Sequence, residues 1–513
     1  MRGLIGISLL FISLNGVLAQ QNFVPIHHFY RDRYFHQSSE NSTGFFPVAE
    51  SKSPIWKKLR DSTVTYFDIE EIAYKKHLIE IKDTNCFLTV SPIFDLSLGR
   101  DILLKDERKL FQNTRGIFIE GDLKNNFSFG TSIFENQSRL STYETAYVNS
   151  RGEFYPRPNN NGYTQDNAVI PGGARTKEFK GDGFDYGHAV GYINYAPNQK
   201  LQISTGNNHH FIGAGYRSVL YSDNSIPSPY LRVDYQIHKK WHFQTIRSRG
   251  LNLIRKRRTT TVEAYYQPKG MSLNYLTFQP SSKISISLFE GTSWKMGDSL
   301  NTKPANPLFW NPVPFVASFL KDEVAFSVQG LNVQIQSFKD LVLYGQFALQ
   351  SLRFNERAFQ VGGRYYWTKG KLFTHHQLEF NHASSGMYEA YTDWRNYSQY
   401  NLPLAHTQGN GFSELVLRSN GEWNRLYYDI KYIHYWIRNQ SNKHLLPIQT
   451  NEIFRDFNIN HFTFELGYRL NKKMNVNFFG NFIYRKTNLE NAKANGIVQI
   501  GMRTGIINRA NDY

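Results

Sequence analysis

The residue types best suited to chemistry gather in one stretch, TGNNHHFIGAGYRSVLYSDNSIPSPYLRVDY (Thr205–Tyr235). It holds His209 and His210, Gly213-x-Gly215, and then Arg217, Ser218, Ser222, Asp223 and Asn224. A hydrolase would need His210 as base, Ser218 or Ser222 as nucleophile and Asp223 as the orienting acid. Such a triad is defined by geometry, and residue types in one short run do not establish it. A dinucleotide site would need a third glycine where Ser218 stands, and no strand–helix unit surrounds the pair. The remaining reading is structural. Gly213 and Gly215 permit positive φ or close backbone approach, and Pro227 and Pro229 stiffen the return to a strand. Arg217, Asp223 and Asn224 would pair in a polar interior. The stretch then reads as a barrel-mouth loop that constricts or organises a lumen, with no catalytic residue. The pairs His27-His28, His209-His210 and His375-His376 could ligate metal, but neighbours on an extended strand point to opposite faces. No metal or cofactor is expected.

Which elements hold this loop depends on where the chain resides. MRGLIGISLLFISLNGVLAQ has Arg2, an apolar run from Leu4 to Leu14, and Val17-Leu18-Ala19 before a cut after Ala19, the pattern of a signal peptide. No later stretch reaches the ~18 consecutive apolar residues of a membrane helix. The single cysteine, Cys86, excludes an internal disulfide framework and a cysteine-based zinc site. Aromatic residues make up 15% of the 513 residues, yet mean hydropathy is −0.50. Strands that alternate apolar and polar residues reconcile the two values. A net charge of +17 favours polyanionic partners, and export directs these to lipopolysaccharide and acidic glycans and away from nucleic acid.

From Asn85 the period is two. In LTVSPIFDLSL, Leu88, Val90, Phe94, Leu96 and Leu98 oppose Thr89, Ser91, Asp95 and Ser97; in HFTFELGYRL, Phe462, Phe464, Leu466, Tyr468 and Leu470 oppose Thr463, Glu465, Gly467 and Arg469. Short polar turns recur at 124–126, 197–200, 238–240, 280–283, 338–340, 368–371, 419–424 and 471–473, with longer linkers between. Alternating short and long connections mark a transmembrane barrel with short periplasmic turns. Eight hairpins, a first strand near 85–98 and a last near 496–508 predict eighteen strands. Trp241, Tyr275, Tyr365, Tyr366, Trp367, Tyr435 and Trp436 at strand ends would form interfacial girdles. No repeat of propeller length is present. The sequence thus divides into a signal peptide (1–19), a small, partly helical N-terminal periplasmic segment (20–84), an all-β outer-membrane barrel (85–508) and a C-terminal tail (509–513). DIEEIAYKKHLIEI (68–81) supplies the helix, with Asp68 and Glu71 as its capping pair.

Four stretches, 113–137, 181–197, 205–235 and 400–414, resemble the RemB gliding-motility family of Bacteroidetes, a likeness that covers most of 85–508. More distantly, HHFIGAGYRSVLYSDNSIPSPYLR resembles the Wzi family of capsule-assembly outer-membrane proteins. The second resemblance implies an eighteen-stranded barrel with a periplasmic helical element that helps hold capsule at the cell surface. One departure is the C-terminus, where IVQIGMRTGIIN is aliphatic and RANDY follows.

On this topology RSRGLNLIRKRRTTTVEAYYQPKG (247–270) is an outer loop, with Arg247, Arg249, Arg255, Lys256, Arg257, Arg258 and Lys269 against Glu263. Guanidinium groups suit phosphate and uronic-acid carboxylates. Trp310, Trp394 and Arg395, with Phe309, Tyr388, Tyr391, Tyr397 and Tyr400, lie in aromatic loops suited to sugar faces. The expected function is non-enzymatic: engaging or anchoring surface polysaccharide at the outer membrane of a Gram-negative bacterium, in gliding motility or capsule assembly. Expected partners are outer-membrane lipid and lipopolysaccharide, surface polysaccharide, and periplasmic or motility-machinery proteins. A diffusion pore is the alternative, and an outer-membrane hydrolase a further one.

Overall fold

The period-two alternation becomes the wall of a closed antiparallel barrel of eighteen strands in the computed structural model. The structure describes residues 23, 26–37, 43–48, 69–83, 86–104, 108–124, 126–157, 162–256, 266–297, 302–320, 324–390, 395–440, 456–489, 492–505, 508 and 511–513. The strands are β1 (Cys86–Asp101), β2 (Leu110–Leu123), β3 (Phe127–Arg139), β4 (Gly183–Tyr195), β5 (Leu201–Asn208), β6 (Ser228–His238), β7 (Trp241–Arg255), β8 (Tyr266–Ser281) and β9 (Ile284–Lys295). The wall continues with β10 (Ala325–Phe338), β11 (Leu341–Gln350), β12 (Arg353–Lys369), β13 (Leu372–Ala383), β14 (Phe412–Trp423), β15 (Leu426–Ile437), β16 (Phe457–Asn471), β17 (Val476–Thr487) and β18 (Asn495–Thr504). The first and last strands pair from Asp95↔Arg503 to Asp101↔Ile497 and close the ring. Below that seam a short strand, Ile79–Asp83, takes the free edge of β1 at Cys86–Val90.

The wall is polar inside and apolar outside, as lipid on one side and a filled lumen on the other require. On β1, Thr89, Ser91, Asp95 and Ser97 are buried, whereas Leu98 is 64% exposed; on β18, Ile500 is 66% exposed. On β16, Thr463, Glu465 and Arg469 point in and Phe464, Leu466 and Tyr468 point out. Trp241, Tyr365 and Trp367 are exposed girdle residues, but Tyr275, Tyr366 and Tyr435 face the lumen. Alternation forces that split, since Tyr366 sits between two outward neighbours.

All eight short turns occur at one end. The sequence placed one at 419–424, but β14 runs through Trp423 and the turn is Asn424-Arg425, with Asn424 at φ 56°. One connection at the opposite end is also short: Ser351 and Leu352 join β11 to β12, both at positive φ. Both ends of the barrel sheet lie at the short-turn end, because Cys86 pairs with Leu123 and Thr504 with Val476.

The flanking segments are built into the barrel. Helix α1 (His28–Gln37) lies inside its short-turn half. Helix α2 (Ile69–Tyr74) sits on the rim there, with Asn471 donating to the carbonyls of Ile72 and Lys76. The helix expected over 68–81 stops early, because Ile79 and Ile81 belong to the strand that completes the seam. The described end of the expected tail, residues 511–513, also lies inside. Gly505 bonds to Asn475 at the short turns, while Tyr513 stacks on Tyr147 at the loop end, ring centroids 3.8 Å apart. Tyr147 belongs to α3 (Thr142–Asn149), in the connection from β3 to β4.

Candidate functional site: a filled lumen and a basic loop rim

The Thr205–Tyr235 stretch leaves the wall after Asn208 and returns at Ser228, so residues 209–227 form a loop, and it folds into the lumen. Phe211 and Ile212 pair with Phe46 and Phe45 in a two-stranded sheet inside the barrel. Gly213 has φ +112°, and a Cβ there would collide with Gln346; its N–H donates to the Gly44 carbonyl at 2.8 Å. A Cβ on Gly215 would likewise meet the Arg217 carbonyl and Gln360. The two glycines therefore serve backbone packing.

Arg217 is the hub of this interior. Its guanidinium donates to Glu414 at 3.3 Å, to the Tyr435 hydroxyl at 2.8 Å and to the Asp512 carboxylate at 2.9 Å. Its backbone N–H reaches Glu379 at 3.0 Å. Lys431 also binds Asp512, and His406 pairs with Glu414 at 2.7 Å. The network joins the loop to β13, β14, β15 and the last residues of the chain. Asp223 accepts from Asn508 at 2.9 Å, and Asn224 donates to the Pro403 carbonyl at 3.0 Å.

A second network holds α1. Asp32 accepts from Arg364 of β12 at 3.0 Å and from Arg418 of β14 at 2.9 Å. Arg33 pairs with Glu422, and Arg31 donates to the Gly215 carbonyl at 2.8 Å while lying over the Phe211 ring. Tyr34 and Phe35 pack with Phe46, Val342, Tyr344 and Tyr366. From the loop end, the 384–411 connection folds down onto 209–227. Tyr388 and Tyr397 donate to the carbonyls of Val219 and Leu220 at 2.6 and 3.0 Å.

The triad residues expected from the sequence, His210, Ser218 or Ser222, and Asp223, are not joined to one another by hydrogen bonds. The Ser222 hydroxyl donates to the Ala405 carbonyl, Ser218 to Gln346, and Asp223 is bound to Asn508. Neither ring nitrogen of His210 has a hydrogen-bond partner; the ring packs against Phe45 and Tyr230. His209 lies beside His188, ring centroids 5.6 Å apart. His375 faces the lumen and His376 the exterior, as strand alternation requires.

The basic outer loop expected over 247–270 is mostly strand. β7 runs to Arg255 and β8 starts at Tyr266, so the connection is 256–265. Arg247 and Arg249 lie on the outward face of β7. Arg247 is buried there, donating to the Asn311 carbonyl at 2.6 Å and to Asn274 at 3.1 Å. Lys269 is buried on β8, donating to the Asn396 carbonyl at 2.9 Å. Arg247 is covered by the 306–320 segment, which folds over the outer wall onto Arg247, Asn274 and Glu290; Lys269 faces the lumen, where Asn396 and Ser398 of the 384–411 connection hold it. The 306–320 segment leaves Trp310 62% and Phe319 80% exposed. Arg395 is buried. Arg257, Arg258, Tyr391 and Trp394 lie outside the described residues, as do the signal-peptide residues.

What remains at the loop end is a cluster the sequence only half showed. Arg255 stacks on Tyr155, 4.2 Å from the ring centroid, and Arg175 donates to Glu153 at 2.9 Å. Tyr155, Tyr266 and Asn167 also donate to Glu153. Arg255 came from its basic run; Tyr155 and Arg175 come from the connection between β3 and β4, brought over by a parallel contact of Phe154 with Ile254. Burial alone would raise the Glu153 pKa, but the hydrogen bonds from Tyr155, Tyr266 and Arg175 outweigh it and hold it below its ordinary value. A carboxylate with a depressed folded pKa stabilises the loop above about pH 4.5, and this contribution is lost as pH falls through the lowered value. Pepsin cleavage within 150–176, normalised at each pH to an unfolded control peptide, is accordingly expected to rise as pH falls from about 4.5 through that lowered value. In Glu153→Gln the cleavage should exceed that of the parent at pH above about 4.5, converge with it once the parent's Glu153 is protonated, and lose that acid step.

No protein-family model matches the chain, and no curated protein matches it. Solved structures do. Wzi of Escherichia coli, an outer membrane protein involved in group 1 capsule assembly and a carbohydrate-binding β-barrel, is 11% identical with a TM-score of 0.55, over 93% of this chain and 98% of its own. OccK2 of Pseudomonas aeruginosa, solved with glucuronate, is 10% identical with a TM-score of 0.41, over 81% of this chain and 97% of its own. OprD of the same organism is 9% identical with a TM-score of 0.41, over 81% and 94%. The fold is that of the eighteen-stranded outer-membrane barrels.

Proposed function

We propose that this protein is an outer-membrane barrel that engages surface polysaccharide at its loop end and serves capsule retention or gliding motility. The observation that carries the reading is the lumen, which the chain's own segments occupy from both ends. A barrel filled in this way offers its loop rim as the working surface. There Arg175 and Arg255, each partly exposed and set beside Tyr155 and Tyr266, present guanidinium groups on aromatic rings. That chemistry suits the carboxylates and apolar faces of acidic sugars. The barrel likeness to a carbohydrate-binding protein supports the same reading. Cells lacking the protein are expected to shed surface polysaccharide faster than the parent; unchanged retention would leave motility, and a colony-spreading assay would then decide. In purified protein, Arg255→Gln should weaken binding to a uronic-acid polymer by about tenfold, the loss of one charge-assisted contact.

One observation favours a second reading, a conducting channel. A charged cavity of about 310 Å³ runs along the wall between Asn475 at the short turns and Arg139 at the loop end. Asp95, Lys431, Glu465 and Arg503 line it. Steady single-channel conductance by the intact protein would support that reading.

A further inference from the structure

The outward face of the barrel is not uniform. Over β11–β15 it is cut by an open groove of about 910 Å³. Its floor is Gly363, which pairs with Leu343 on one side and Leu378 on the other. The same level continues as Leu417 and Tyr432, so one missing side chain interrupts an apolar row. A Cβ at Gly363 would sit 3.2 Å from Leu343 Cδ2, so any larger residue would fill the gap.

The levels below change character in order. Toward the short turns the next level is Leu341–Tyr365–His376–Ser419–Ile430. His376 and Ser419 are hydrogen-bonded there at 3.0 Å on the lipid-facing side. Exposed Trp367 follows, and then the turns, where Lys339, Lys369 and Lys371 are all exposed. The first of these turns is tied to β12 by the Tyr366 N–H, which donates to the Asp340 carbonyl at 2.8 Å. This cationic edge belongs to a larger pattern. Each of the eight short turns carries lysine or arginine: Lys124, Lys200, Lys239 and Lys240, Lys283, Lys339, Lys371, Arg425, and Lys472 and Lys473. Asp340 is the one carboxylate among them.

Apolar rows, a hydrogen-bonding pair, an aromatic belt and a cationic edge repeat the depth profile of one lipid molecule: acyl chain, ester, interface and phosphate. Short turns face the periplasm, so the molecule in register with this order comes from the inner leaflet. We propose that the groove is a binding site for a glycerophospholipid with an anionic headgroup. Its acyl chain lies over Gly363, and its phosphate meets Lys339 and Lys371. The inference rests on membrane placement of the barrel and is independent of what the loop end binds.

The test is native mass spectrometry of the detergent-purified full chain titrated with phosphatidylglycerol and with phosphatidylcholine of identical chains. The parent is expected to retain phosphatidylglycerol about tenfold more tightly, since each surface lysine favours anionic lipid several-fold. Lys339→Gln/Lys371→Gln, confined to exposed turns, should bring the two lipids to parity without weakening phosphatidylcholine. Gly363→Leu should weaken both lipids alike. Equal binding of the two lipids by the parent, or parental behaviour in either variant, would overturn the site. A chain that stays soluble without detergent would remove the membrane reading beneath it.

Discussion

Arg217→Ala is expected to destabilise the folded barrel by about 3–5 kcal/mol, the range for removing one partner from a buried charge network. The size follows from what the guanidinium leaves behind. Glu414 and Asp512 are both buried and both lean on it; without it Glu414 keeps His406 and Asn381, and Asp512 keeps Lys431 and Tyr216, so two buried carboxylates share one lysine. The effect is also spread in space, because Arg217 ties the 209–227 loop to three wall strands and to the end of the chain. The measurement is the temperature at which the compact folded form converts to the unfolded form on a semi-native gel. Arg217→Lys should recover only part of the loss: a point ammonium replaces one charge but cannot reach Glu414, Tyr435 and Asp512 together. Wild-type conversion in Arg217→Ala would mean that the network is hydrated and contributes little.

The sequence displayed the wall far better than its contents, and the physical reason is periodicity. A strand with lipid outside and polar groups inside writes its two faces into every second residue, so Thr463, Glu465 and Arg469 declare their side without any knowledge of their partners. Seven of the eight turns fell where short polar runs stood; the eighth was read early because Asn420 and Gly421 mimic a turn within β14. The filling of the lumen carries no such mark. HFYRDRYFHQ reads as irregular chain until Arg364 and Arg418 are seen to meet Asp32. ANDY reads as a tail because nothing local says that Asp512 meets Arg217, 295 residues away in sequence. The break between Asn208 and Ser228 is legible because its glycines and prolines are local signals. The basic run reads as a loop because charge resembles a solvated connection, whereas Arg247 sits on a strand under the 306–320 cover.

Deleting residues 20–48 is expected to turn a barrel that passes little current into one with frequent, flickering openings. The segment does two things. Its helix fills the short-turn half through Asp32, Arg33 and the Tyr34–Phe35 cluster. Its Phe45–Phe46 pair supplies the strand on which Phe211–Ile212 rests, and Arg31 holds the Gly215 carbonyl. Without it the lower half is open and the constricting loop has lost its inner support. The loop keeps Arg217 and its contacts with the 384–411 connection, so the openings should flicker. Adding Arg217→Ala removes that remaining clamp and should convert flicker into a steady level, as expected of a barrel of this strand number with an aqueous lumen. Planar-bilayer recording distinguishes the cases. Current in the intact protein equal to that of the deletion would mean that the Arg139–Asn475 cavity conducts already, and the channel reading would then replace the anchor.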